Sequence, residues 1–282
     1  MKIASLHIYP LKSGRGIDLS QAHVGAWGLD GDRRYMVVDP DGRFITQREL
    51  QSLARIVAVE DRDGLDLSMD GMADVLRARF EPDRRLDVVV WNSHVSAALA
   101  DDATNRELSV WLDRPVRLVH ADRQTNRICS PDWAGEGVLT GFSDGYPILI
   151  TTTGSLAELN AAALELGGEP LGMDRFRPNI VIDQPEPFAE DRWAAIEIAG
   201  IRFDLVKPCA RCIMTTQDQV TGERGGPDPM PAMRRIRMSD DRRVAGVLFG
   251  WNVVARAEGM VTVGDAVKVL ETRPEGWPLK RR

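Results

Sequence analysis

The chain has 282 residues, with 36 Lys and Arg against 42 Asp and Glu and a formal net charge of −6. Both signs are interspersed along the whole length, which leaves no electrostatic footprint for nucleic acid. Three cysteines, Cys129, Cys209 and Cys212, are too few for a disulfide framework and point to a reducing, cytoplasmic setting. No apolar run approaches the roughly 18 residues of a membrane span, so neither membrane insertion nor a secretory leader is expected.

In chain order, Ile3, Leu6 and Ile8 form a short apolar run ending at Pro10, which predicts an opening strand. The segment RRYMVVDPDGRFITQ predicts a hairpin, with Tyr35 to Val38 and Phe44 to Thr46 flanking the turn Asp39-Pro40-Asp41-Gly42. RIVAVE, LDLSM, DVVVWN and VRLV add short strands at the spacing of a barrel or sandwich. One helix is expected from about Asp102 to Leu112. A second lies in TTTGSLAELNAAALELGG, capped at Thr152 or Thr153 and stopped by Gly167-Gly168. PNIVID, AAIEIAGIRFDLV with a turn at Gly200, CIMTT, GVLFGWNVVA and VKVLE then predict a second β-rich set.

The fold expected is therefore mainly β with a few helices (α+β). It comprises two packed β-barrel-like modules, residues 1–122 and 123–272, with a tail over 273–282. Residues 221–243 read as a Gly/Pro-rich loop and a basic segment that Pro231 could open as a short helix.

In KPCARCIMTT, Cys209 and Cys212 stand three apart just before a run that reads as a strand. A redox dithiol normally opens a helix, so that chemistry is disfavoured. A structural zinc needs further ligands, yet the third cysteine is remote and His7, His23, His94 and His120 show no paired spacing. An iron–sulfur cluster normally takes four cysteines. Two readings remain open: a single thiolate ligand to a metal that brings its other ligands with it, and a pair of buried packing thiols.

Anion-binding candidates lie elsewhere. YPLKSGRG sets Lys12, Ser13 and Arg15 among glycines just after a strand. Arg33 and Arg34 follow the acidic GLDGD turn, and DRFRPNIVID offers Arg175, Arg177 and Asn179 at the mouth of another strand. Three such clusters in a chain with no excess of positive charge point to one bound polyanion.

YPLKSGRG, GDRRYMVVDPDGRFITQRE, FSDGYPILITTTGSLAELN, FRPNIVID, CARCIMTTQDQVTG, LFGWNVVA and VGDAVKVL occur in this order. Together they resemble the MOSC proteins, and more closely the mitochondrial amidoxime-reducing component and its bacterial relatives with an N-terminal MOSC β-barrel. The resemblance implies an N-terminal MOSC barrel module followed by a MOSC domain. It also implies a molybdenum cofactor, in which a phosphorylated pterin carries the metal on its dithiolene and one protein cysteine, here Cys212, is a further ligand. A thiolate suits a metal already bound by sulfur. By the same matching Lys12, Ser13, Arg33, Arg177, Asn179, Ala210 and Arg211 bind the cofactor, as does the turn Ser143, Asp144, Gly145 and Tyr146.

The implied activity is two-electron reduction of small N-hydroxylated substrates such as amidoximes, hydroxylamines and N-hydroxylated bases. Asp144 and Asp218 are candidate proton donors, beside solvent. The chain ends shortly after its last predicted strand, so a separate electron-transfer protein of ferredoxin, flavin reductase or cytochrome b5 type is expected. The basic 233–243 segment is its candidate docking surface. A cofactor or sulfur carrier without turnover would use the same clamp. A thiol oxidoreductase would need both Cys209 and Cys212.

Overall fold

A computed structural model of the chain describes residues 1–61, 64–72 and 74–280. The architecture is mainly β. Among the described residues four α-helices, Asp102–Trp111, Pro131–Ala134, Thr153–Glu165 and Met230–Ile236, punctuate the strands. No helix among them is long and apolar enough to cross a membrane.

The largest sheet has eight strands in the order Val267–Thr272, Trp193–Ile198, Ile201–Ala210, Leu248–Ala255, Ile148–Thr152, Ile180–Asp183, Lys2–Ile8 and Ile17–Leu19. The opening strand thus belongs to a sheet built mostly from the later half of the chain. Ile3 and Leu6 are three apart, a spacing that would place them on opposite faces of a regular strand. A register shift between Ile3 and Ser5 brings both inward, where they face Ile182 and Ile180. Ile148–Thr152 runs parallel to Ile180–Asp183, which requires a crossover, and the helix Thr153–Glu165 supplies it.

Thr152 caps that helix by accepting the Ser155 N–H. The tight turn between Trp193–Ile198 and Ile201–Ala210 is made by Ala199 and Gly200, both with positive φ (50° and 78°), the twist a two-residue hairpin needs.

A four-stranded sheet joins Tyr35–Val38, Arg117–His120, Ser93–Ala100 and Phe80–Val90, and a three-stranded one joins Ile56–Asp61, Gly64–Met69 and Leu76–Ala78. Two main apolar cores result. One packs Leu6, Ile150, Ile180, Phe203 and Trp251, the other Tyr35, Val37, Leu53, Leu67 and Leu118. The boundary expected near residue 122 falls just after Arg117–His120. Gln21–Gly25 nevertheless pairs with Gly259–Thr262, as Lys2–Ile8 pairs with Ile180–Asp183. The two halves interlock through these ladders.

Two local expectations need correction. CIMTT is not a strand: Cys212 begins a 3-10 turn over Ile213–Thr216, because both the backbone N–H and the hydroxyl of Thr215 donate to the Cys212 carbonyl, at 3.2 and 3.1 Å. Such local bonding competes with a ladder. The second arm of the early hairpin is reduced to a single bridge between Val38 and Phe44. The turn itself forms as expected, with the Asp39 carboxylate accepting from the N–H groups of Asp41 and Arg43. Pro231 does lie in the first turn of Met230–Ile236.

Candidate active site in the cleft between the two halves

Lys12 and Ser13 sit on a turn that closes with the Gly14 N–H donating to the Leu11 carbonyl. Ser13, Arg33 and Arg177 all adopt left-handed backbone, with φ of 66°, 45° and 53°. Such conformations cost about 1–3 kcal/mol each and persist where surrounding structure over-determines them. Here they aim three polar side chains from separate elements into one space.

That space is an open cleft of about 860 Å³ when counted out to its mouth. Its walls include Lys12, Ser13, Arg33, Ser143, Asp144, Gly145, Tyr146, Arg177, Asn179, Ala210, Arg211 and Cys212. Every cofactor and metal residue expected from the sequence is thus brought to one place. Arg175 and Cys209 line it too. Arg34 does not. It stacks on Trp27 and donates to the Ala121 carbonyl.

The wall from the early segments is held by charge pairing. The Lys12 ammonium reaches the Asp144 carboxylate at 2.6 Å and the Phe142 carbonyl at 2.8 Å. Burial lowers the Lys12 pKa, with Asp144 opposing. Desolvation would raise that of Asp144, but Lys12, with Arg48 and the Trp91 N–H, outweighs it and holds the carboxyl well below the usual range. Arg33 donates to Asp32 at 2.7 and 2.9 Å, to Asn179 Oδ1 at 3.1 Å and to the Arg177 carbonyl at 3.1 Å. Asn179 also receives the Leu149 N–H and donates to the His7 carbonyl. Its amide is committed to holding Arg33 and the adjoining strands together.

The opposite wall is cationic and under-satisfied. Arg177 and Arg33 both lie against the Tyr9 ring, 4.1 and 4.3 Å from its centre. Burial, then repulsion from Arg33, pushes the Arg177 pKa down to about 10, and burial pushes Tyr9 up to about 12. Arg177 Nη1 donates to Gln219 at 2.9 Å, but Arg177 Nη2, Arg175 Nη1 and Arg211 Nε are buried without a partner among the described residues. Each unmade bond of this kind costs about 1–3 kcal/mol, and more for a charged group. Three such donors beside one cleft suit an anion with several acceptor oxygens.

Both sulfurs are half-buried in the cleft wall rather than in a core, and both are free thiols; Cys129 alone is buried among apolar side chains. The strand Ile201–Ala210 carries a register shift between Pro208 and Ala210, at Cys209. The 3-10 turn that follows sets Cys212 at the cleft. Cys209 Sγ accepts from Arg211 Nη1 at 3.0 Å. Cys212 Sγ accepts from Arg48 Nη2 at 3.2 Å, across 164 residues of sequence. The role of Arg48 has no local sequence signal, because its partners lie in segments remote from it along the chain.

Two expected roles change on this geometry. Asp218 accepts from the backbone N–H groups of Thr221 and Val220, and these, with Arg175 nearby, lower its pKa. Asp144 is lowered as well, so neither carboxyl holds a proton to donate at neutral pH. Tyr146 packs its ring among Cys129, Ala134 and Val254, leaving only part of its surface to the cleft. A Cβ added at Gly145 would meet nothing within 4 Å, so the turn leaves open space facing the cleft.

A thiol and a cluster of under-satisfied guanidiniums, meeting between interlocked β modules, define the class of protein to which the chain's similarities point. The MOSC N-terminal beta barrel domain matches residues 1–115, and the MOSC domain matches residues 139–268. Mitochondrial amidoxime-reducing component 1 of Homo sapiens is 31% identical over 284 residues, covering 95% of this chain and 82% of the relative. The Danio rerio protein of the same name is 26% identical, with 94% and 83% covered. Mitochondrial amidoxime reducing component 2 of Homo sapiens is 28% identical, with 94% and 82% covered. The chain belongs to the MOSC-domain family that includes the mitochondrial amidoxime-reducing components.

Proposed function

We propose that the chain binds a molybdenum cofactor in this cleft and reduces the N–O bond of small N-hydroxylated compounds, amidoximes among them. The observation that carries this reading is the convergence of buried, partnerless guanidinium donors on Arg175, Arg177 and Arg211 beside the Cys212 thiol. A phosphorylated group that brings its own sulfur-bound metal matches both features: the arginines offer charge-assisted donors to phosphate, and the thiol offers a soft ligand.

Cys212 Sγ would be the protein's ligand to the metal. Arg177 and Arg211, with Arg175, would hold the anionic part, and Lys12, Ser13 and Arg33 would bound it from the other side. The turn from Ser143 to Tyr146 would frame the remaining edge, with Ala210 beneath. When bound, the group supplies a two-electron redox centre; the residues around it fix orientation and exclude competing thiols. The net change consumes two electrons and two protons, breaks the N–O bond and releases its oxygen as water. Asp144 and Asp218 stay ionised, so the protons come from solvent at the open mouth. The electrons come from a separate redox protein of ferredoxin, flavin reductase or cytochrome b5 type. Arg237 cannot help to dock it, being buried against Asp191 at 2.6 and 2.9 Å, which leaves the exposed Arg234, Arg235, Arg242 and Arg243 in that segment.

The test is metal analysis and turnover on protein made in a host that synthesises the cofactor. Wild-type protein is expected to carry molybdenum stoichiometrically and to reduce benzamidoxime with reduced methyl viologen. Cys212→Ser should abolish turnover, whereas Cys209→Ser should largely spare it. Bound cofactor without turnover would favour a carrier instead, and equal loss in both variants would favour dithiol chemistry.

A further inference from the structure

The contact between Arg48 and Cys212 joins the two halves of the molecule at the sulfur itself. Arg48 comes from the early segment, and its Nη2 lies 3.2 Å from Cys212 Sγ. Its guanidinium rests over the Trp91 ring, 4.7 Å from the centre. Trp91 is itself held on three counts. Its backbone is left-handed (φ 55°), its ring meets Phe44 with centres 5.0 Å apart, and its indole N–H donates to Asp144 at 3.3 Å. Asp144 in turn binds Lys12.

The backbone of Arg48 is fixed from the other half. Arg224 donates to the carbonyls of Gln47 and Arg48, at 3.1 and 3.3 Å, from the loop that follows the 3-10 turn at Cys212. The left-handed backbone at Trp91, which is 41% exposed, belongs to the two-residue turn between Phe80–Val90 and Ser93–Ala100 and brings no core packing. What it does bring is a flat surface against which a guanidinium can lie while one of its nitrogens faces a sulfur.

We propose that Arg48, braced by Trp91, is a positioning residue for Cys212 that donates a hydrogen bond to the metal-ligating sulfur and thereby raises the reduction potential of the bound centre. This deepens the cofactor reading and rests on it. A hydrogen bond to a ligand sulfur withdraws electron density from it, weakens its donation to the metal and so favours the reduced state. Arg211 makes the equivalent contact to Cys209, so the two sulfurs take different arginines from opposite walls. Only the Arg48 contact involves the expected ligand. Lysine is a poor substitute, because it cannot lie flat on the indole and fork toward the sulfur at once.

The experiment compares wild type, Arg48→Gln, Arg48→Lys and Trp91→Leu as cofactor-loaded proteins. It measures molybdenum content, the midpoint potential by redox titration, the electron paramagnetic resonance signal of the half-reduced centre, and kcat and KM for benzamidoxime. Arg48→Gln should retain molybdenum while its potential moves negative, its resonance signal changes and kcat falls several-fold with KM unchanged. Arg48→Lys should restore part of the shift. Trp91→Leu, which does not touch the sulfur, should move the potential in the same direction by less.

Unchanged potential and signal in a molybdenum-loaded Arg48→Gln protein overturns the inference and leaves the cofactor reading standing. Should Arg48→Gln fail to fold or load, Trp91→Leu decides, and an unaltered potential there overturns the inference equally. Wild-type protein without molybdenum overturns the cofactor reading, and this inference with it.

Discussion

The two walls of the cleft solve the same electrostatic problem in opposite ways. On the early wall Lys12 is neutralised by Asp144 and Arg33 by Asp32, so the cations have partners before any ligand arrives. On the late wall Arg175, Arg177 and Arg211 each keep a buried donor without a partner. The paired wall has its charges satisfied without a ligand and is fixed in position by bonds to the later half. The under-satisfied wall carries a standing cost that an anionic ligand would remove, which is a way of making stability depend on ligand. A chain of net charge −6 that concentrates arginines here does so against its overall balance.

The contrast predicts different consequences on the two sides. Asp32 sits behind the early wall, 3% exposed, accepting from Arg33 and from the Tyr9 N–H at 2.8 Å. Asp32→Ala leaves Arg33 buried and short of its counter-charge, so unfolding in urea should show a loss of about 3–5 kcal/mol even in cofactor-free protein. A loss within the error of the denaturation curve would show that the early wall is not held by that pair.

On the late wall the expectation is inverted. Arg177→Met removes a guanidinium with one partnerless buried nitrogen and one bond to Gln219, so the melting temperature of cofactor-free protein should fall far less than in Asp32→Ala. Cofactor retention should drop by about 10–100-fold, the range seen when residues around a metal's ligands are removed. Parallel losses of stability and retention would erase the distinction between the walls.

How much of this was legible beforehand differs by element. The crossover helix is written locally in its Thr152 cap and Gly167-Gly168 stop, and the turn at Gly200 needs no distant information. The lining of the cleft was found because Lys12, Arg33, Arg177 and Cys212 each sit in a short ordered motif. Three things were not legible. Thr215 folding back on the Cys212 carbonyl turned a β-branched run into a 3-10 turn. Ser93–Ala100 became a strand despite three alanines, because Phe80–Val90 offers it a long antiparallel partner. Arg48 and Trp91 acquire their roles only from contacts made across much of the chain. Pairing and stacking between remote segments leave no local pattern to read.

The mildest prediction probes what stands behind the early wall. Tyr35, whose carbonyl accepts the Lys12 N–H at 2.7 Å, stacks on His120 with ring centres 4.6 Å apart. Burial, then repulsion from Arg34, lowers the His120 pKa to about 4 from an ordinary 6.5. The folded protein therefore binds fewer protons than the unfolded chain between those values. The stabilisation from neutral His120 is complete above pH 6.5 and declines as the pH falls toward about 4. The loss amounts to about 2 kcal/mol by pH 5. His120→Phe keeps a ring against Tyr35 but cannot bind a proton, so its stability curve should lack this acid-side slope. A slope equal to wild type would show that His120 does not carry this acid sensitivity, since Asp144, with its depressed pKa, loses its contribution only at lower pH still.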